Sequence, residues 1–321
     1  DVERSRGLGD VYKRQDYLGG APANVASALR KLKIDSIFIG SLGRDDFGKK
    51  IIEQFNELEV NLDFLQSNND SSTRVVNVDR DQSGDRFFSG FEPSLHSCFA
   101  DEALSMKLIE KELLNLEKCF LRTKYLVTGT NVLSSSISAE TIFFLLEQAK
   151  KSEVKVVIDL NWREVFWDYS NFASDTSKKG RINLIKNFLN HAHVIKLAKE
   201  EATLFFEIEN PSLISQQMSK RPDVIITDGK NPVSWHINGF QGNTKIPKSQ
   251  KIVDTTGAGD AFLAGLISEF ISFGYPKSEL EIQACVRFAS ACGLLTCHGE
   301  GAIEPQPDYE KVSKFLGSLI S

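Results

Sequence analysis

No stretch of about 18 apolar residues occurs in the 321 residues of this chain, which argues against a membrane-crossing helix. The N-terminus carries no apolar signal core, so secretion is not indicated. Cysteine is sparse and odd in number: Cys98, Cys119, Cys285, Cys292 and Cys297, with no Cys-x-x-Cys spacing. That composition argues against a disulfide framework and reads as reduced, mostly buried thiols of a cytoplasmic protein. The five histidines form no metal-ligand pattern. His191 and His193 alternate as in an extended segment flanking a buried strand, which argues against a zinc enzyme. No Gly-x-Gly-x-x-Gly follows a first strand, as a nicotinamide-linked dehydrogenase would require. There is no internal repeat and no low-complexity linker. The net charge of −5 gives no electrostatic case for nucleic acid or an anionic membrane as partner.

What is present is ordinary globular material. Hydrophobic residues make up 41% and charged residues 25%, enough to bury a large core in one α/β domain or two smaller ones. Beyond Ala100, helical patterns near 138–151, 179–190 and 199–207 alternate with short apolar runs. These runs, at Tyr125–Thr128, Val154–Asp159, His193–Lys196 and Val224–Thr227, read as strands. Such alternation predicts a mostly parallel sheet covered by helices on both faces. Ligands then gather at the carboxyl ends of the strands, where Gly129, Asp159, Asn161, Arg163, Lys196, Thr227 and Gly229 fall. Nearer the N-terminus, a helix of about Asn24–Lys33 precedes an apolar strand, Ile34–Gly40. Thr73–Asp79 and Arg86–Phe91 alternate with period two around a turn at Asp81–Gly84, the pattern of a β-hairpin. That turn has a faint EF-hand character, but Gly90 stands where the closing Glu belongs. Gly43 to Lys50 nearly spells a P-loop, yet Lys50 stands where a magnesium-holding Ser or Thr is needed, so it reads as a loop and helix start.

Two glycine turns carry the chemistry. Asp254-Thr-Thr-Gly-Ala-Gly-Asp-Ala-Phe262 leads from a short extended run into an apolar-periodic helix, Ala261–Phe273. The first N–H groups of a helix lack partners inside it, and its dipole there favours negative charge. Glycine lets the backbone approach a ligand closely. Gly257, Ala258 and Gly259 therefore suit a phosphate or the charge that develops during its transfer. Asp260, in the first turn, is either a helix-start stabiliser or a general base. The second turn, Gly19-Gly-Ala-Pro-Ala-Asn-Val-Ala26, also runs into a helix, where Asn24 is either a cap or a ligand contact.

Together, and in this order, these two stretches resemble the paired signatures of the pfkB (ribokinase-like) carbohydrate kinases. The Gly-Gly-Ala-Pro-Ala-Asn wording is closest to the fructokinase branch, and the resemblance covers about Asp16 to Ser321. It implies a three-layer fold with a small β-lid, here about 62–92. It also implies ATP and Mg2+ as cofactors and a sugar as acceptor, with a homodimer formed through the lid. Asp260 falls on the family's catalytic aspartate, and Gly257, Ala258 and Gly259 on its anion hole. Gly19, Gly20 and Asn24 fall on sugar-contacting positions, and Phe88 on the lid. Asn161 and Arg163 resemble an Asp-x-Asn-x-Arg element, which puts Asn161 on the cofactor side and lets Arg163 face substrate or phosphate; the other reading of Arg163 is a surface ion pair. Glu201 matches a Glu that organises magnesium through water, although Ala198 replaces the family's Asn. Glu200 is the alternative. Lys196, Thr227 and Gly229 fall on the nucleotide side, with Pro232 replacing a family glycine. Asp254, Thr256 and Gly301 resemble a region that holds K+.

Asp1–Gln15 departs from the pattern. Seven of these residues are charged, glycines interrupt them and no apolar alternation appears. Family members open instead with a buried strand and a sugar-binding aspartate. The stretch reads as a non-native or truncated leader to a kinase domain spanning 16–321. The expected activity is ATP-dependent phosphorylation of a sugar, D-fructose first. Ribose, 2-keto-3-deoxygluconate or a nucleoside are the alternative acceptors, and a catalytically silent binding relative is the alternative class.

Overall fold

The computed structural model describes residues 2–6, 15–80, 86–91, 98–167, 178–248 and 252–318. In chain order its strands begin with β1 (Val2–Arg6), β2 (Gln15–Leu18), β3 (Ile37–Gly43), β4 (Asn61–Asn68), β5 (Val75–Arg80) and β6 (Arg86–Phe91). They continue with β7 (Tyr125–Gly129), β8 (Lys155–Asp159), β9 (Val194–Ala198), β10 (Asp223–Thr227), β11 (Val233–Ile237) and β12 (Phe240–Thr244). The helices are α1 (Ala21–Lys31), α2 (Asp46–Glu57), α3 (Met106–Lys111), α4 (Leu113–Phe120), α5 (Ser136–Lys151) and α6 (Lys178–Leu189). α7 (Lys199–Phe206), α8 (Pro211–Gln216), α9 (Ala258–Ser272), α10 (Glu279–Thr296) and α11 (Tyr309–Gly317) follow.

Six strands form the central sheet in the order β12-β11-β10-β9-β8-β7. β7 to β10 are parallel, and β11 and β12 return as an antiparallel hairpin. Because side chains alternate across a strand, each apolar strand feeds two cores. Val156, Ile158, Ile195, Leu197, Val224 and Ile226 pack with apolar residues of α3 to α8. Val157, Val194, Ile225, Trp235 and Ile237 pack on the other face with α1, α9, α10 and α11. The expected doubly covered sheet is present, and its four expected parallel strands stand within a residue or two of their predicted bounds. Among the described residues no helix is long and apolar enough to cross a membrane. Among the described residues the five cysteines form no disulfide, and four of them are buried.

Two smaller sheets complete the fold. β3 and β4 pair in parallel, while a four-stranded sheet runs β2-β1-β5-β6. The expected hairpin is β5–β6, antiparallel. Val2–Arg6 lies between β2 and β5, hydrogen-bonded to both. Its composition gives no strand signal, but a ladder is built from backbone groups and does not require apolar side chains. Among the described residues β3 and β7 are each paired on one side only, and α1 touches both.

Three local expectations are corrected. The first helix starts at Ala21, not near Asn24, because Pro22 suits a first turn and Gly20 caps it with φ 109°. Asn24 is therefore inside the helix and is not its cap. The first core strand lies at Ile37–Gly43, three residues later than its apolar run suggests. That strand does run into α2 within a few residues, as in a P-loop. However, the Asp45 carboxylate occupies the helix start, accepting from Gly48 N at 2.8 Å and Thr73 N at 2.7 Å. A carboxylate already seated on those donors leaves no place for a phosphate.

Candidate active site

The carboxyl ends of β8, β9 and β10 and the start of α9 enclose one cluster of charged side chains. Gly257 caps α9 with φ 72°, and a Cβ built there would lie 2.8 Å from the Ala302 carbonyl oxygen. Only glycine fits such a conformation and contact without strain. Ala258 N donates to Thr255 O at 3.3 Å, and Ala261 N begins the helical ladder at Gly257 O, 2.9 Å away. Gly259 N and Asp260 N lie between them and have no acceptor within the protein among the described residues. They are the idle donors that an anion needs at a helix start.

Asp260 is recessed but keeps partial access to solvent. Asn24 Nδ2 donates to its Oδ2 at 2.8 Å, so the two glycine signatures meet here. Burial is the largest influence on this carboxyl group and the Asp159 charge the next. Together they outweigh the Asn24 hydrogen bond, Lys196 and Arg163, and push its pKa up to about 6. A carboxylate tuned toward neutrality is a better proton acceptor than an ordinary aspartate.

Asp159 and Lys196 form a buried pair, Nζ to Oδ2 2.9 Å, at 4% and 7% exposure. Asp159 Oδ1 is buried without a hydrogen-bond partner. The sequence places Asp159 at a strand end but assigns it no role. Its only signal is an acid directly after the apolar run Val156–Ile158. Burial disfavours the ammonium, yet Asp159, Glu201 and Asp260 outweigh that and hold its pKa above the ordinary lysine value.

Glu201 is also buried, and its two oxygens accept from Trp162 N at 2.6 Å and Ala198 N at 2.7 Å. Burial first and Asp159 second raise its pKa. It fastens the start of α7 to the loop after β8. In that loop Asn161 adopts φ 41°, a left-handed conformation that asparagine tolerates. Arg163 is exposed, with its guanidinium donating to Trp162 O at 3.2 Å. Thr227 ends β10 and donates to Leu197 O at 3.4 Å. Gly229 follows with φ 51° and open space where a Cβ would stand.

The remaining expected residues form two neighbouring groups. Gly20 O accepts from Asn24 N at 2.9 Å, and Gly19 is buried beside it. Asp254 uses one oxygen for Thr256 N and the other for Gly301 N, each at 3.0 Å. Its carboxylate thus brings the three proposed K+ positions together. Among the described residues no group of three acidic, His or Cys side chains is placed to enclose a metal by itself. The backbone of Phe88, expected on the lid, pairs with Val78 in the four-stranded sheet, and its side chain lies outside the described residues.

Residues 6–309 match the pfkB family carbohydrate kinases. The probable chloroplastic fructokinase-6 of Arabidopsis thaliana is 29% identical over 315 residues, covering 96% of this chain and 77% of that protein. The fructokinase of Vibrio alginolyticus is 28% identical over 307 residues, covering 93% and 91%. Among solved structures, a fructokinase with bound ATP from Xylella fastidiosa superposes with TM-score 0.83 at 24% identity, covering 100% and 96%. That likeness shows the shared fold. A fructokinase from Vibrio cholerae O395 in a fructose-, ADP- and calcium-bound form gives 0.79 at 25% identity, covering 98% and 96%. With both signatures meeting at Asp260 and the family matched over nearly its whole length, this chain belongs to the pfkB family of carbohydrate kinases, phosphotransferases that act on an alcohol group.

Proposed function

We propose that this enzyme transfers the γ-phosphoryl group of ATP to the 6-hydroxyl of D-fructose. The observation that carries the reading is Asp260, a base-tuned carboxyl set against two idle N–H donors at the start of α9 and held by Asn24. The likeness to fructokinases supports fructose as the acceptor.

With Oδ2 engaged by Asn24, Asp260 Oδ1 is open to the sugar hydroxyl. The hydroxyl proton passes to that oxygen as the sugar oxygen forms its bond to Pγ. The bond from Pγ to the bridging oxygen breaks, and ADP leaves. The charge on the moving phosphoryl group is met by the Gly259 and Asp260 N–H groups and the α9 dipole. Gly20 and Asn24 position the sugar, and Asn161, Thr227 and Gly229 face the nucleotide. Magnesium fits the donor set: it keeps several waters and uses one or two carboxylates with substrate phosphates. Glu201 and the unpartnered Asp159 Oδ1 supply such carboxylates, and the metal would neutralise the polyphosphate.

The Asp254, Thr256 and Gly301 cluster is the place for K+, the lid sheet the place for a homodimer contact, and the cytoplasm the compartment that suits the free thiols. Phosphorus–proton correlation spectra of the product test the assignment. The new phosphate should couple to the protons on C6, and coupling to C1 would contradict it.

A further inference from the structure

We propose that the Lys196 ammonium completes the anion hole and contacts the phosphoryl group during transfer, with Asp159 holding it in place. This inference rests on the kinase reading and goes beyond nucleotide binding, the role that the family resemblance gives Lys196.

A Cβ built on Gly259 would lie 2.9 Å from Lys196 Nζ. The ammonium is thus pressed against the second residue of α9, next to the two idle N–H groups. A methyl group on Gly259 would displace it, which gives that glycine a reason beyond backbone freedom.

An ammonium has three N–H donors. Among the described residues Lys196 uses one, on Asp159 Oδ2, and no other partner exists for it. At 7% exposure two idle donors are costly unless something fills the space during function. A purely structural ion pair would place backbone carbonyls around them. Lys31 shows that arrangement elsewhere in the chain, with its ammonium on the carbonyls of Ile303, Glu304 and Gln306.

Lys196 is in direct contact with Asp159, and the charges of Glu201 and Asp260 also act on it. Arg163 is the other cation whose charge reaches Asp260, but it is exposed, so without the ammonium a phosphoryl group approaching Asp260 would meet mainly carboxyl groups. With the ammonium beside Gly259, the charge that spreads over the equatorial oxygens in transfer meets a fixed cation in a recess with little water. A fixed cation acts most strongly in such surroundings. Lys196 remains protonated throughout, and the hydroxyl proton goes to Asp260.

Lys196→Met and the double variant Lys196→Met/Asp159→Asn test this in the full chain. The double variant also removes the partner charge and so guards against unfolding by an orphaned carboxylate. In both, kcat with ATP and fructose should fall by about 10²-fold or more. In Lys196→Met, which keeps the Asp159 carboxylate, KM for ATP and the Kd for ADP at saturating Mg2+ should stay within about threefold, and inhibition by ADP with aluminium fluoride, a mimic of the moving phosphoryl group, should weaken in parallel with kcat. A kcat within threefold of the wild type in either folded variant overturns the inference. So does a loss of ADP affinity in Lys196→Met as large as its loss of rate, which would make Lys196 a ground-state nucleotide contact. A wild-type chain that transfers no phosphoryl group to any sugar overturns the kinase reading along with it.

Discussion

Asn24 Nδ2 and Asp260 Oδ2 lie 2.8 Å apart although 236 positions separate them in the chain. This bond joins the sugar side of the site to the proton acceptor. It also makes Asp260 separable by mutation, because Asp260→Asn keeps shape and removes the charge. Turnover should fall by about 10²–10⁴-fold, while the Kd for ADP stays within a few-fold. The same variant should be more stable at pH 7.5. A carboxyl raised from 3.8 to about 6 costs the native state roughly 2–3 kcal/mol once it is ionised. Thermal melts at pH 7.5 and pH 3.5 check this: the gain in Tm should be present at the first and absent at the second.

The pH dependence of kcat/KM reports the same group. A base must be ionised to act, so activity should fall as pH drops through about 6, and not near 4 as for an ordinary aspartate. Asn24 pulls the Asp260 pKa down, so Asn24→Ala should move this acid limb to higher pH and raise KM for the sugar. An acid limb unmoved in Asn24→Ala would show that the hydrogen bond is not made in solution.

Glu200 and Glu201 are neighbours with different surroundings. Glu200 is exposed, whereas Glu201 is buried with both oxygens on backbone N–H groups. In Glu201→Gln one of those N–H groups faces an amide NH2. The Mg2+ concentration for half-maximal rate should then rise about tenfold or more, and Tm should fall. Glu200→Gln should change neither quantity, and magnesium titration of the two variants decides the register.

Gly257→Ala should combine φ strain at 72° with the close approach to Ala302 O. Gly239→Ala is its control, with φ 81° and open space for the methyl group. Strain alone costs about 1–2 kcal/mol. Both variants should lose Tm, Gly257→Ala by more, and only Gly257→Ala should lose kcat, by at least about tenfold.

The fold was legible where side-chain pattern decides it. Apolar runs such as Val156–Ile158 and Val224–Ile226 are buried on both faces, and that is why they read as strands. The antiparallel pair β11–β12 is absent from the sequence expectations, although Asn238-Gly239 between two alternating runs is a strong hairpin signal. Both residues have positive φ there. Asp260, Gly257 and Asn24 were legible as types at fixed spacing. Their convergence was not, nor was the Lys196–Asp159 pair, because both depend on strand register and on how α9 packs against β9. Val2–Arg6 could not be read at all, since backbone pairing leaves no mark on a charged, glycine-broken stretch.

Coupled ADP release, measured with ATP and Mg2+ over D-fructose, ribose, 2-keto-3-deoxygluconate and a nucleoside, tests the central claim most directly. Fructose should give a kcat/KM at least about tenfold above the others, an advantage that one or two well-placed hydroxyl contacts can supply. It should also vanish in Asp260→Asn. Preference for another acceptor, or ADP release no faster with any sugar than without, would contradict the account.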